Sequence, residues 1–162
     1  MPKHTPLISP SVADFTQSGV SITVAARSDR LLPSISKAVG CRVDADLQQM
    51  AVLLFSEAAE AVCRDIAGNG LVAVCFSRPS GNETLQIKGS DARSAPATPT
   101  EVTAARRCLD LLIDDLLPLG FAREMLEASF WGDGAGLAAI RFTPDAAFAQ
   151  TPGPTAGAVL KR

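Results

Sequence analysis

The chain of 162 residues lacks several of the residue types from which protein active sites are built. It has no tyrosine, one tryptophan and a single histidine, His4, near its N-terminus. Structural zinc sites take about four Cys or His ligands, and serine-protease-type catalysis needs a histidine beside the nucleophile. We therefore expect no metal site and no triad, so that any catalysis would depend on an external cofactor.

Blocks of like charge and long apolar runs are also missing. The formal net charge is −2, and nucleic-acid binding, which needs clustered Lys and Arg, is not expected. No run of about 18 apolar residues could span a bilayer, and the N-terminus does not resemble a signal peptide. We expect a cytoplasmic protein with a single domain over residues 1–162, a loose N-terminus over 1–15 and an irregular tail over 145–162.

The four cysteines are widely spaced and form no CxxC pair. Each falls within or beside an apolar segment, which indicates small buried thiols rather than metal ligands. They are Cys41, Cys63, Cys75 and Cys108.

Hydrophobic periodicity predicts an α+β protein that is mainly β. The predicted strands cover residues 20–26, 34–43, 49–55, 71–77, 83–89 and 137–144. One helix is predicted from an N-cap at Ser56 to a stop at 68–70, a second over 99–117 and a third near 121–128. A polar linker is predicted over 90–97 and a turn at GDGAG, 132–136. Because strands come in consecutive groups, an antiparallel barrel with appended helices fits this order best.

The second strand of the predicted hairpin, TLQIKG, alternates between apolar and polar residues. Leu85 and Ile87 would face the core, while Thr84, Gln86 and Lys88 share the other face. This polar face is either the wall of a ligand groove or an ordinary solvated surface. The preceding strand ends in Ser77-Arg78, a pair that would either anchor a phosphate or simply end the strand.

The stretch from AVLLFS through RDIAGNG to LVAVCFSRPSGNETLQIKG resembles the pyridoxamine 5′-phosphate oxidase-like, FMN-binding split-barrel proteins. The similarity spans roughly residues 19–92, and the later helix and the QTPGP tail are similar to an uncharacterised bacterial branch. The resemblance implies an antiparallel split barrel. It also implies a homodimer that binds FMN, a small-molecule ligand, in a groove between two barrels.

The resemblance also implies which residues contact the flavin. In the family, the end of the third strand touches the flavin, and the strand after the hairpin supplies a group to the ring. The matching residues here are Phe55, Ser56 and Thr84. The family's Arg-Lys phosphate pair falls near Ala61 and Val62, and a second basic motif maps loosely to residues 36–42. The candidate cofactor-binding residues are Phe55, Ser56, Ser77, Arg78, Thr84, Gln86, Lys88, Lys37 and Arg42.

Two functions of different classes follow from these observations. The first is an FMN-dependent oxidoreductase, whose catalytic residues the sequence does not identify. The second is a dimeric binding or regulatory module that has lost the cofactor. The missing Arg-Lys phosphate pair favours it, since the helix start carries Glu57 and Glu60 instead, whereas the polar face of the strand at 83–89 argues against it. Haem binding is a third option, although few axial ligands exist.

The tail at 150–154 is a candidate to fold across a ligand groove or a partner subunit.

Overall fold

The computed structural model describes residues 5–131 and 136–160. Within them the helices are α1 (Pro10–Thr16), α2 (Glu60–Asn69), α3 (Pro99–Leu116) and α4 (Arg123–Phe130), with a 3₁₀ turn at Leu117–Leu119. The strands are β1 (Ser21–Arg27), β2 (Pro33–Ala38), β3 (Gly40–Val43), β4 (Met50–Phe55), β5 (Val72–Ser77), β6 (Thr84–Gly89), β7 (Arg93–Pro96), β8 (Leu137–Phe142) and β9 (Ala146–Ala149).

These strands form two antiparallel sheets. Sheet A has the order β2-β1-β5-β6-β9, and sheet B has the order β3-β4-β8-β7. Only Val39 separates β2 from β3, so the chain passes directly from one sheet to the other. The single strand predicted over 34–43 is therefore two strands. Residues 38–41 are all buried at this corner, which hides the break from a hydrophobicity pattern.

A common apolar core lies between the two sheets. Sheet A contributes inward-facing residues such as Val24 and Val74, and sheet B contributes Val52 and Ile140, all fully buried. Helix α2 packs into the same core through its buried apolar residues. Burial of such side chains contributes about 1.5–3 kcal/mol each, so this core accounts for the pairing of the sheets.

Helix α3 covers the outer side of sheet B. Ala105 of α3 packs with Leu53 and Ala139, which point away from the common core. Helix α4 then packs on α3 through Leu126. Strand β4 is thus buried on both faces, as its unbroken apolar run predicts. No described helix covers the outer side of sheet A.

Two of the predicted helix starts have different outcomes. The capping box of Thr98 and Glu101 is present, with both reciprocal hydrogen bonds, and α3 begins at Pro99 as predicted. The prediction of Ser56 as an N-cap is wrong, because α2 begins at Glu60 after Ala59. The backbone N–H of Ser56 instead donates to the carbonyl of Gly136 and extends the pairing of β4 with β8.

Three short elements fall where irregular structure was predicted. Helix α1 occupies part of the predicted loose N-terminus, with Ser9 as its N-cap and Pro10 in its first turn. Strand β7 lies in the predicted linker, and its four residues are all exposed, so no apolar alternation marks it. Strand β9 lies in the predicted irregular tail and pairs with β6. Residues 132–135 of the predicted GDGAG turn lie outside the described residues.

Among the described residues, no helix is long and apolar enough to cross a bilayer.

Helix α3 is fixed to sheet B by an ion pair at its start. Arg141 of β8 donates through Nη2 to Oε2 of Glu101 at 2.6 Å and through Nε to Oε1 at 2.8 Å. The backbone N–H of Thr98 adds a 2.7 Å bond to the same carboxylate. Burial raises the pKa of Glu101, but the hydrogen bonds from Arg141 and Thr98 outweigh it and leave the pKa below its usual value of 4.5.

The close contact of α3 with β3 predicts opposite effects for two alanine substitutions. A Cβ on Gly40 would lie 2.5 Å from the Cα of Ala105, whereas a Cβ on Gly68 would meet nothing within 4 Å. We expect Gly40→Ala to destabilise the protein by about 1–3 kcal/mol through overpacking. Gly68→Ala, the control at an exposed position of α2, should stabilise it by about 0.5–1 kcal/mol. Urea unfolding of both variants measures the difference, and equal midpoints would contradict the described packing.

The Glu101 ion pair predicts a pH-dependent contribution to stability. Because the folded-state pKa is lowered, this contribution is present above pH 4.5 and is lost as the pH falls through the folded-state pKa. Glu101→Gln should cost about 1.5–3 kcal/mol near neutral pH, and the difference from the wild type should shrink in acid. Urea unfolding at about pH 7 and about pH 3 tests the trend. Glu57→Gln, at an exposed position, is the control and should show little difference at either pH.

Candidate functional site

The outward side of sheet A, which we call the open face, carries the polar residues that the sequence singles out. Side chains on β1, β2, β5, β6 and β9 alternate between the core and this face. All of its residues are half-buried or exposed. They are Ser21, Thr23, Ala25, Arg27, Ile35, Lys37, Ala73, Cys75, Ser77, Thr84, Gln86, Lys88, Ala146 and Phe148.

One row of the open face crosses all five strands. The register places Lys37 beside Thr23, Thr23 beside Cys75, Cys75 beside Gln86, and Gln86 beside Phe148. The Lys37 ammonium donates to Thr23 Oγ1 at 2.9 Å and to Ser21 Oγ at 3.1 Å. Burial raises the pKa of the Cys75 thiol against the opposing effect of the Lys37 charge.

Two further cations flank a cleft at one end of the open face. Arg27 and Lys88 line this cleft of about 420 Å³, together with Ala25 and Ala73. The Lys88 ammonium lies 5.2 Å from the centre of the Phe148 ring. Arg27 was missed by the sequence analysis. The alternation of SITVAAR, which puts Arg27 on the same face as Thr23, was the signal that could have found it.

None of the three cations on the open face has a carboxylate partner within 4.0 Å in residues 5–131 and 136–160. The ion pairs of the described chain involve other arginines. Arg27 donates to the carbonyl of Ser28 at 3.3 Å, and Lys37 bonds only to hydroxyls. The open face therefore holds three positive charges that form no ion pair within the described residues.

Hydroxyl groups are concentrated at the opposite end of the open face, around Thr84. Its Oγ1 donates to the carbonyl of Asn82 at 3.0 Å and lies 2.8 Å from Ser77 Oγ. Its backbone N–H donates to Thr151 Oγ1 at 3.0 Å, and its carbonyl accepts from Gln150 N at 2.8 Å. With these donors engaged, Thr84 and Ser77 present mainly acceptor lone pairs to a ligand. The tail thus reaches this end of the face within the same chain.

The structure places five of the nine candidate cofactor-binding residues on the open face and four elsewhere. Arg78 bonds to Ser18 Oγ at 3.0 Å and lies over the Phe15 ring, so it joins the hairpin to the α1 region. Arg42 lies on sheet B and pairs with Asp44 at 2.8 Å. The five on the face are Lys37, Ser77, Thr84, Gln86 and Lys88.

Phe55 and Ser56 lie at the end of sheet B rather than beside Thr84. The Phe55 ring packs edge-on against Trp131, with 5.7 Å between ring centres. Ser56 is exposed. A single copy of the chain therefore puts these two residues on a different sheet from the hydroxyl cluster.

The start of α2 does not suit a phosphate group. Glu60 stands in the first turn and Ala59 at the N-cap makes no side-chain hydrogen bond. Glu57 is exposed just before the helix. Negative charge at this position repels an anion that the helix N-terminus alone would attract. The first turn of α2 is therefore unfavourable for a phosphate group.

In the described residues, no group of three or more His, Cys, Asp and Glu side chains has the proximity required to hold a metal ion.

Comparison with known proteins identifies the fold. No protein-family model and no curated protein matches the sequence. Among solved structures, HupZ of Group A Streptococcus aligns with a TM-score of 0.54 at 12% identity, covering 93% of this chain and 100% of that one. An F420 reductase aligns with a TM-score of 0.53 at 15% identity, covering 86% and 98%.

A third structure has a weaker likeness. It is a pyridoxamine 5′-phosphate oxidase-related, FMN binding protein of Nostoc punctiforme, with a TM-score of 0.49 at 10% identity, covering 91% of this chain and 87% of that one. A TM-score at this level supports no inference by itself.

The chain has the split-barrel fold of the pyridoxamine 5′-phosphate oxidase-like proteins. The two antiparallel sheets around one core, with helices appended, agree with the predicted fold class. Identities of 12% and 15% establish the fold alone. The ligand must therefore be argued from the side chains of this chain.

Proposed function

We propose that the chain is an FMN-binding split-barrel protein that works as a homodimer and uses the flavin for oxidoreduction. The observation that supports this proposal best is the open face of sheet A. It combines cations without a carboxylate within 4.0 Å in the described residues, polar groups with lone pairs or donors left for a ligand, and small apolar residues on one surface. An anionic ligand with a flat polar ring has complementary chemistry.

The polar groups of the open face suit the edge of a flavin ring. The ring edge presents both donors and acceptors of hydrogen bonds. Ser77 and Thr84 offer acceptor lone pairs, and Gln86, which makes no side-chain hydrogen bond in the described structure, offers an amide with both. Because side chains alternate along β6, Thr84 and Gln86 form a polar strip on the open face and not on the core side.

The homodimer is supported by the apolar part of the same surface. Ile35 is 70% exposed at the edge of the open face, and Leu31 and Leu32 at the hairpin tip are 70% and 64% exposed. Exposed large apolar residues that cluster mark association surfaces. A second copy packed on this face would bury them. We further propose that Phe55 and Ser56 of one copy approach the ligand on the face of the other.

The division of labour between flavin and protein follows from the residues present. When bound, the flavin supplies the capacity to exchange hydride or electrons. The open face would bind and orient it, and the second copy would exclude water. No pair of titratable side chains on the open face has the character of a general acid and base, so catalysis would rely on placement.

A non-catalytic dimeric module is the second candidate function. The exposed acids at the start of α2 favour it, because they stand where the family's oxidases hold the FMN phosphate. Under this hypothesis the open face would serve dimerisation alone. The two candidates differ in one measurable property, which is affinity for FMN.

The first prediction concerns flavin binding by the purified protein. We expect saturable binding of about one FMN per chain, with quenched or shifted flavin fluorescence. At about 100 times Kd, bound FMN should stabilise the fold by about 2.7 kcal/mol and raise Tm by about 5–10 °C. Haemin titrated in parallel is the competing ligand. A folded, dimeric protein whose Tm does not respond to FMN would favour the non-catalytic module.

The second prediction concerns the accessibility of Cys75, which lies in the central row of the open face. In a single copy of the chain without ligand, Cys75 and Cys63 are both partly exposed. FMN at about ten times Kd should slow maleimide labelling of Cys75 about tenfold, because the bound state shields it. Cys63 on α2 is the internal control and should label at an unchanged rate. Mass spectrometry of labelled peptides measures the labelling rate of each cysteine. If Cys75 labels at the same rate with and without FMN, the flavin binds elsewhere.

A further inference from the structure

We infer that Arg27 and Lys88 form the site for the ligand's phosphate group, at the end of the open face where β1 and β6 end. This inference rests on the proposed function, because it specifies which cations hold the anionic part of the ligand. The phosphate is thus assigned to these two cations and not to the start of α2, where the first turn carries the acidic Glu60.

The strand register brings the two cations to the same cleft. Ala25 is paired with Ala73, and Ala73 with Lys88, so these three residues form one row. Arg27 lies two residues beyond Ala25 on the same face. The two alanines between the cations leave a shallow floor, and all four residues line the cleft of about 420 Å³. A phosphate lying above the alanines would have one cation on each side.

Both cations retain unused hydrogen-bond donors. A guanidinium has five N–H groups, and Arg27 uses one on the Ser28 carbonyl. Lys88 makes no hydrogen bond through its ammonium within the described residues and contacts the Phe148 ring instead. Charge-assisted bonds from Arg and Lys are the strong ones in phosphate recognition.

The remaining candidate cations are already engaged. Lys37 donates to two hydroxyls. Arg42 pairs with Asp44, and Arg78 is held by Ser18 and lies 3.9 Å from Glu83. Lys37 therefore keeps one unused N–H. Arg42 and Arg78 each lie within 4.0 Å of a carboxylate, whereas Arg27 and Lys88 have none at that distance in the described residues.

A second copy on the open face would favour an anion beside these two cations. Removing a cation from water without a partner is strongly unfavourable. Arg27 and Lys88 would meet this condition at the edge of a dimer interface, and no carboxylate in the described chain pairs with them. The phosphate of the ligand would supply the missing negative charge.

One carboxylate opposes the proposed anion. Asp145 also lines the cleft, and its Oδ2 accepts from Ser90 Oγ at 2.6 Å. Because it repels a phosphate, its removal should strengthen binding. Asp145→Asn keeps the size of the side chain and its capacity to accept from Ser90. A gain in affinity cannot result from damage to the fold.

The experiment compares FMN with riboflavin, which lacks the phosphate, on the full chain and on four variants. The wild type should bind FMN at least about tenfold more tightly than riboflavin. Arg27→Gln and Lys88→Gln should each weaken FMN about tenfold and leave riboflavin unchanged. Asp145→Asn should tighten FMN a few-fold. Arg107→Gln, at an exposed arginine on α3, is the control and should change nothing.

The outcomes separate this inference from the proposed function. If FMN binds and keeps its preference over riboflavin in both glutamine variants, the phosphate site is elsewhere and the flavin proposal stands. Equal affinity of the wild type for both flavins also overturns the inference.

If neither flavin binds, the proposed function fails and inorganic pyrophosphate becomes the probe. A saturable shift of the Arg27 Nε–H signal in a ¹⁵N NMR spectrum, weakened by Lys88→Gln and absent at Arg107, would retain the anion site. An unmoved Arg27 signal would overturn it together with the flavin proposal.

Discussion

The one-sided coverage of the barrel by α3 is the constraint on which the rest of the structure depends. Gly40 and Ala105 permit the backbone of β3 and the helix to approach closely, because neither has a side chain beyond Cβ. The contact commits the longest helix to sheet B. With α2 packed into the common core, no described helix remains for sheet A, so its outer side stays open.

The residues of the open face are suited to a surface that no described helix covers. Its small and polar residues tolerate water when the chain is alone, since hydroxyls and cations keep their hydration. Its alanines, Cys75 and Phe148 would supply apolar contact surface to the ligand or second copy that we propose. A surface of this mixed character is typical of interfaces that are not permanently buried.

Much of the fold could be predicted from the sequence because its signals are local. The alternation in β1 and β6, the apolar run of β4 and the capping box of α3 each lie within a few residues. Strands β7 and β9 could not be found in this way. Their pairing partners, β8 and β6, stand far away in sequence, and their own side chains show no clean alternation.

The candidate site was predicted in part for the same reason. The polar residues of β6 share a face by simple alternation, so Thr84, Gln86 and Lys88 follow from the sequence. The alternation along a strand does not show which cations have hydrogen-bond or ion-pair partners in the folded chain. The bond of Arg78 to Ser18 spans 60 residues of sequence, and only the folded chain reveals it. Arg27, by contrast, lay within a pattern that the sequence displays.

The two edges of sheet A differ in a way that limits how copies can join. At the β9 edge, the tail pairs through Val159 with Phe148 and bonds along the strand. At the other edge, β2 has no described neighbour beyond it. Open-ended growth by strand addition requires two different edges that accept each other. With one edge occupied by its own tail, strand pairing between copies through β2 would join like edges and close after two chains.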